Sequence, residues 1–304
     1  MVGPATREAR TVRLDRPLDL AGTLRPIRRG GIDPCMRLWS GECWRASRTP
    51  DGPSTLHLRH AGSEVMAEAW GPGAAWMLEQ VPQLLGLDDD LDAFDPKVAL
   101  VVELARHHPG LRIGRTNAVA EALAPTVIEQ RVTGHDARRA WAWLIHRLGE
   151  RAPGPAELLL PPTPATLAST PSWVFHRANV DRGRASTITR AMSRACRLEE
   201  TTTMAMSDAY RRLRAFPGVG AWTAAEVAHI ALGDVDAVSV GDYHLMHQVS
   251  WALAGEPRGT DERMLELLEP WRGQRARVLR LLGAGGIQAP RFGPRLPTQS
   301  IAAL

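Results

Sequence analysis

From Ser207 to Val249 the chain reads SDAYRRLRAFPGVGAWTAAEVAHIALGDVDAVSVGDYHLMHQV, a stretch that limits the fold more than any other. Its spacing predicts helix, tight hairpin, helix, loop, helix. Pro217 ends the first helix because its ring fixes φ and removes a donor, and Gly218 and Gly220 then permit positive φ in a very short turn. From Trp222 onward, Ala224, Val227, Ala228, Ile230 and Ala231 resume helical spacing. Such a turn, with Val219 between its glycines, exposes backbone N–H groups at the positive end of the second helix's dipole, a docking point for one phosphate. A phosphate contact carries no sequence information, which is what a DNA-binding hairpin needs. A plain corner between two helices fits the same residues.

Asp242 stands 24 residues past Gly218, in VSVGDYHL. One reading makes it the N-cap of the helix YHLMHQV, with Gly241 suited to the position before it. The other is chemical. A carboxylate beside a reacting carbon stabilises developing positive charge and orients water, so one aspartate suffices to cleave a bond that leaves a cation behind. Asp242, His244 and His247 also have the composition of a metal site, the histidines one helical turn apart; histidines facing solvent or a groove are the alternative.

The remaining sequence is ordinary globular material: 304 residues, 44% hydrophobic and 23% charged. No run approaches the roughly 20 apolar residues of a membrane helix, and the N-terminus lacks a signal-peptide core, so an intracellular, cytoplasmic protein is expected. Three cysteines are too few for a disulfide framework or a four-thiolate metal site. The net charge of +4 comes almost wholly from arginine, with Lys97 the only lysine. Arginines cluster over 173–197 and 271–295, which fits two phosphate-contacting surfaces or a pair of solvated helix faces.

Residues 1–96 predict an antiparallel sheet with a covering helix. CMRLW and ECWRAS flank Ser40-Gly41, TLHLRH and SEVMAEAW flank Ala61-Gly62, and AAWMLEQVPQLLG follows at near-helical spacing. From Lys97 the pattern turns helical, giving an α+β fold with a helical domain over 97–290 and a loosely ordered tail over 291–304. Residues 151–172 hold six prolines and are expected to be a surface connection.

The hairpin and Asp242 together resemble the helix-hairpin-helix DNA glycosylase superfamily. Leu213, Pro217, Gly218, Val219 and Gly220 match its hairpin, Trp222-Thr223-Ala224 its continuation and Asp242-Tyr243 its catalytic loop. The chain is most similar to the DNA-3-methyladenine glycosylase II branch, because Trp222 stands where lysine-using members such as endonuclease III carry lysine. HPGLRIG, IEQRVT and PWR are further matches. The resemblance implies two helical lobes around a cleft, double-stranded DNA carrying a damaged base as partner, base flipping, and Asp242 as the catalytic carboxylate. It further implies a base pocket lined by Trp222 and Tyr243, and DNA contacts from Gln130, Arg131, Arg272 and the hairpin. No cofactor is implied beyond a structural sodium or potassium ion on hairpin carbonyls. With Lys97 outside the hairpin, a monofunctional enzyme without lyase activity is expected, acting as a monomer near the nucleoid.

The sequence departs from that branch in three places. Arg131 replaces the bulky apolar wedge, Glu226 replaces a pocket aromatic one turn after Trp222, and Arg280 falls near the position of a pocket tryptophan. Aromatic walls suit cationic alkylated purines. A facing Glu226–Arg280 pair would instead read the edges of a neutral or deaminated lesion, or close the pocket as a salt bridge. A non-catalytic DNA-binding protein that keeps only the hairpin is the alternative from a different class.

Overall fold

The computed structural model describes residues 7–290; the tail expected over 291–304, with Arg291 and Arg295, lies outside the described residues. The N-terminal unit is a five-stranded antiparallel sheet in the order β1-β5-β4-β3-β2, where β1 is Arg7–Arg13, β2 Met36–Leu38, β3 Glu42–Thr49, β4 Gly52–Ala61 and β5 Glu64–Trp70. The two expected hairpins close with Leu38 opposite Cys43 and Ala61 opposite Glu64. Alternation along the strands sends Leu56 and Leu58 of β4 and Val65, Ala67 and Ala69 of β5 to one face. The helix Ala74–Leu84 covers that face with Met77, Val81 and Leu84. The strand β1 is an addition to the sequence reading. It buries only Val12 and so lacks an apolar stripe; its pairing with β5 specifies it.

The helical part has two cores. One is built from residues 119 to 232, around Leu123, Ile145, Phe175, Ile188 and Leu213. The other joins Val101 and Leu104, from the helix Ala99–His107, to Val249, Met264, Val278 and Leu282. The chain therefore starts the second lobe, leaves to build the first, and returns between residues 233 and 244. Asp242 lies on that return.

The connection over 151–172 corrects the expectation of a surface loop. Glu150–Arg151 pairs with Leu159–Leu160 in a two-residue ladder, and Ala152, Leu158 and Leu160 pack on Ala46 of β3. The prolines limit the length of this ladder by removing donors, while the apolar run at 158–160 supplies burial that seats the connection on the sheet. Polar clamps join the sheet to the first lobe. Arg45 and Ser47 both reach Glu121, each at 2.6 Å, and Arg29 pairs with Glu129 at 3.2 Å. Between the sheet unit and the second lobe, Arg277 pairs with Asp89, both side chains being buried.

Candidate active site

The hairpin forms as its residues require. Its first helix is Met206–Arg214; its second, Ala221–Val227, runs on into a π-turn over Ala228–Leu232. Leu213, Phe216 and Val219 are buried and pin the turn, leaving Pro217, Gly218 and Gly220 exposed. Gly218 adopts φ +93°, and a Cβ there would lie 2.0 Å from the Thr187 hydroxyl oxygen. Gly220 departs from expectation. It sits at φ −86°, ψ −173° and serves as the N-cap of the second helix, with no side-chain cap. The first-turn N–H groups are thus left without a capping side chain, as an anion-binding helix start requires.

Gln130 and Arg131 follow the helix Val119–Ile128 and lie against this hairpin. The Gln130 amide donates to the Gly218 carbonyl at 3.0 Å and to the Thr223 hydroxyl at 2.8 Å, so it secures the turn. Arg131 takes φ +57°, and its exposed side chain has no ion pair among the described residues. A non-glycine residue in the left-handed region is strained by roughly 1–2 kcal/mol. Arg131 thus follows directly on the residue that bonds the hairpin.

Asp242 enters from the other lobe. The N-cap of the helix Leu245–Ala254 is His244 rather than Asp242, but the Asp242 Oδ1 accepts from the N–H groups of His244 and Leu245 at 2.8 and 2.9 Å and so caps the start of the helix from two residues before it. The Asp242 Oδ2 accepts from the Trp222 indole at 3.2 Å. Capping and site geometry coexist on one carboxylate. The loop before it is anchored at several points. Tyr210 donates to Asp234 at 2.7 Å, Arg275 bonds both Asp236 oxygens, and Gly241, at φ +90°, donates to Asp261.

Glu226 lies one turn beyond Trp222 on the same helix face and is half-buried. The Ser239 hydroxyl donates to its Oε1. Burial raises the Glu226 pKa; the Ser239 bond opposes this, the charge of Glu129 adds to it, Arg29 opposes it and Asp242 adds to it. Glu129 and Ser239 lie inside the quoted segments IEQRVT and VSVGDYHL, but nothing in either segment marks them as neighbours of Glu226, and Arg29 belongs to no quoted motif.

Arg280 does not face Glu226. Its guanidinium donates to the Gly22 carbonyl of the N-terminal unit and flanks a small cavity with His229, Arg112 and Thr23. Burial lowers its pKa to about 10, without an acid paired to it among the described residues. The expected Glu226–Arg280 pair is therefore absent, because the bend of the chain around Gly22 offers Arg280 a carbonyl. Burial also lowers the His229 pKa to about 4.

Tyr243 is 69% exposed and packs edge-on to His244 at 4.9 Å, at the surface next to Asp242. His244 and His247 do not gather with Asp242 into a metal-binding cluster among the described residues; His247 instead accepts from the Gly259 N–H. Arg272 is held by Glu269 at 2.7 and 2.8 Å. In the described part of the basic stretch, up to residue 290, Arg272, Arg275, Arg277 and Arg280 are each bonded within the chain. In the stretch 173–197, Arg184 is buried against Asp181 and the Ile128 carbonyl, whereas Arg182 and Arg194 have no partner among the described residues. Arginine count overstated the free positive surface. A crevice between the sheet and the first lobe is lined by Arg29, Asp33, Cys35, Glu121 and Trp141 and includes neither Asp242 nor Trp222.

This architecture is the fold of helix-hairpin-helix DNA glycosylases. It superposes on a 3-methyladenine DNA-glycosylase from Archaeoglobus fulgidus with a TM-score of 0.77 at 19% identity, covering 90% of this chain and 97% of that one. An 8-oxoguanine glycosylase/lyase from Clostridium acetobutylicum, in complex with double-stranded DNA containing cytosine opposite 8-oxoguanine, gives 0.67 at 15% identity, over 91% and 96%. A 3-methyladenine DNA glycosylase from Schizosaccharomyces pombe, in complex with abasic DNA, gives 0.51 at 14% identity, over 64% and 96%. No protein-family profile matches the chain. No curated protein matches it in sequence.

Proposed function

We propose that the protein is a monofunctional DNA base-excision glycosylase that flips a damaged base, expected to be alkylated, and hydrolyses its N-glycosidic bond. The observation that supports this most directly is the Trp222–Asp242 hydrogen bond, which sets the Asp242 carboxylate between the two lobes, on the hairpin side. Extruding a nucleotide costs a few kcal/mol, and the site must then stabilise positive charge at C1′. Asp242 supplies that charge. Trp222 and Tyr243 offer aromatic surface to the flipped base, while Glu226 offers a carboxyl on the pocket wall. Pro217, Gly218, Val219 and Gly220 present a phosphate-docking turn, Gln130 holds it, and Arg131 is placed to enter the space that the base vacates. Trp222 in place of a lysine, together with an exposed Lys97 in the segment before the helix Ala99–His107, supports hydrolysis without a Schiff base.

A structural alkali cation on the hairpin fits only through second lone pairs. The Phe216, Gly218 and Gly220 carbonyls each already accept a hydrogen bond. No chemistry proposed for this site depends on that ion.

The capping role of Asp242 favours a second reading, since it gives the residue a purpose in a non-catalytic DNA-binding protein. Duplex oligonucleotides carrying alkylated and deaminated bases separate the two. Strand cleavage seen only after alkali, and lost in Asp242→Asn, is expected. Salt-sensitive binding with no release by wild type would sink the enzymatic reading.

A further inference from the structure

We propose that Glu226 is the proton donor to the departing base, which extends excision to neutral lesions. The inference rests on the glycosylase reading above. It begins from placement. Glu226 follows Trp222 by four residues on one helix face, and Trp222 holds the other oxygen of the carboxylate that caps the opposite lobe. The side chain is fixed rather than mobile, since Ser239, three residues before Asp242 in the same loop, donates to Oε1. Oε2 takes no hydrogen bond among the described residues and is not fully enclosed. One oxygen is thus oriented by the protein, and the other is free to carry a proton toward the pocket.

The groups around it favour the acid form. Burial does most to disfavour its negative charge, and Glu129, from the turn that leads to Arg131, and Asp242 work in the same direction; the Ser239 hydroxyl and Arg29, from the N-terminal unit, work against it. Two carboxyls in one cleft with different surroundings divide naturally into an anion and an acid. Asp242 carries two backbone donors and an indole on its oxygens, whereas Glu226 carries one hydroxyl on Oε1.

The chemistry needs both. A cationic alkylated base departs neutral when its C1′–N bond breaks, so it requires no acid. A neutral base takes the bonding electron pair and would leave as an anion. Transfer of the Glu226 proton to a ring nitrogen of that base lets it leave neutral. The oxocarbenium ion beside Asp242 then takes the oxygen of one water, and the proton which that water sheds returns to Glu226 through solvent. One water is consumed, one base is released, and the enzyme is restored.

The test uses the full chain on two duplexes, one carrying cationic 7-methylguanine and one carrying neutral hypoxanthine, with single-turnover release followed from pH 5 to 9. Wild-type release of hypoxanthine is expected to decline as pH rises and Glu226 ionises, with a much weaker dependence for 7-methylguanine. In Glu226→Gln the ratio of hypoxanthine to 7-methylguanine release should fall about 100-fold, the usual size of a general-acid contribution, and the decline with pH should disappear. Glu226→Asp should restore part of the pH dependence. Wild type that releases only 7-methylguanine, or a Gln variant whose ratio and profile match wild type, overturns the proposal while leaving the glycosylase reading intact. Release of neither base by wild type takes down the glycosylase reading itself, and this proposal with it.

Discussion

The Trp222 indole and the Asp242 carboxylate meet at 3.2 Å across the junction of the two helical lobes, one residue from the hairpin helix and the other from the start of the returning helix. A hydrogen bond to a charged group is worth about 1.5–3 kcal/mol, so this one fixes the carboxylate as well as the lobe separation. Trp222→Phe removes the donor and keeps an aromatic surface. Single-turnover base release should fall about tenfold or more, with duplex affinity changed much less. Equal losses in affinity and rate would mean that Trp222 serves the base rather than Asp242.

Asp242 does two jobs that substitution can separate. Asparagine keeps an oxygen for the His244 and Leu245 N–H groups and loses the charge; alanine loses both. Asp242→Asn should lower excision by about 10³-fold, the scale of a lost transition-state electrostatic contact, and should lose the Trp222 bond while keeping the cap, because its amide NH2 faces the indole N–H. Asp242→Ala should also lose the cap, about 1 kcal/mol, and melt a few degrees lower. Calorimetry on both variants beside a release assay checks this. An active Asn variant would leave the residue as a cap alone.

Much of this site's geometry was legible because local backbone rules announce it. Pro217, Gly218 and Val219 announce the turn through backbone chemistry, and Asp242 through its remove from it. What could not be read depends on partners distant in the chain. Arg280 was placed with Glu226 by position along the sequence, but the Gly22 carbonyl, 258 residues away, takes it instead. Gln130 carried no visible reason to touch Gly218, and Ser239 none to touch Glu226, because a hydrogen bond between elements leaves no periodicity. Gly220 illustrates the opposite error. A glycine in a turn suggests a positive φ, whereas here it is an extended N-cap. The strand β1 escaped because edge pairing satisfies a backbone without demanding an apolar stripe.

Gly218 and Gln130 predict different failures of the hairpin. Gly218→Ala forces a side chain onto a backbone at φ +93° and into the Thr187 hydroxyl 2.0 Å away. It should destabilise the fold by more than about 1 kcal/mol, the size of the backbone term alone. Gln130→Ala leaves the turn formed but frees the Gly218 carbonyl and the Thr223 hydroxyl. Its cost in stability should be about 1–2 kcal/mol, with a clear loss of duplex affinity at fixed salt. Denaturant unfolding paired with fluorescence-anisotropy titration distinguishes the two. An Ala variant at 218 with wild-type stability would mean that the turn relaxes around it.

The π-turn that ends the hairpin helix predicts acid sensitivity. His229 sits there with its Nδ1 3.4 Å from the Asp234 carbonyl, and burial, helped by the charge of Arg280, depresses its pKa to about 4. An unfolded histidine titrates near 6.5. Between those values the unfolded chain binds a proton that the folded chain refuses, so stability falls as pH falls from about 6.5 toward 4, by as much as about 3 kcal/mol. Above 6.5 the imidazole is neutral in both states and contributes no slope. Carboxylates such as Asp236, held low by Arg275 against its own burial, add their losses at lower pH. His229→Gln keeps a donor for the Asp234 carbonyl and has nothing to titrate. Its melting temperature should therefore change less than that of wild type between pH 7 and pH 5. Equal slopes in the two proteins would place the acid-sensitive group elsewhere in the fold.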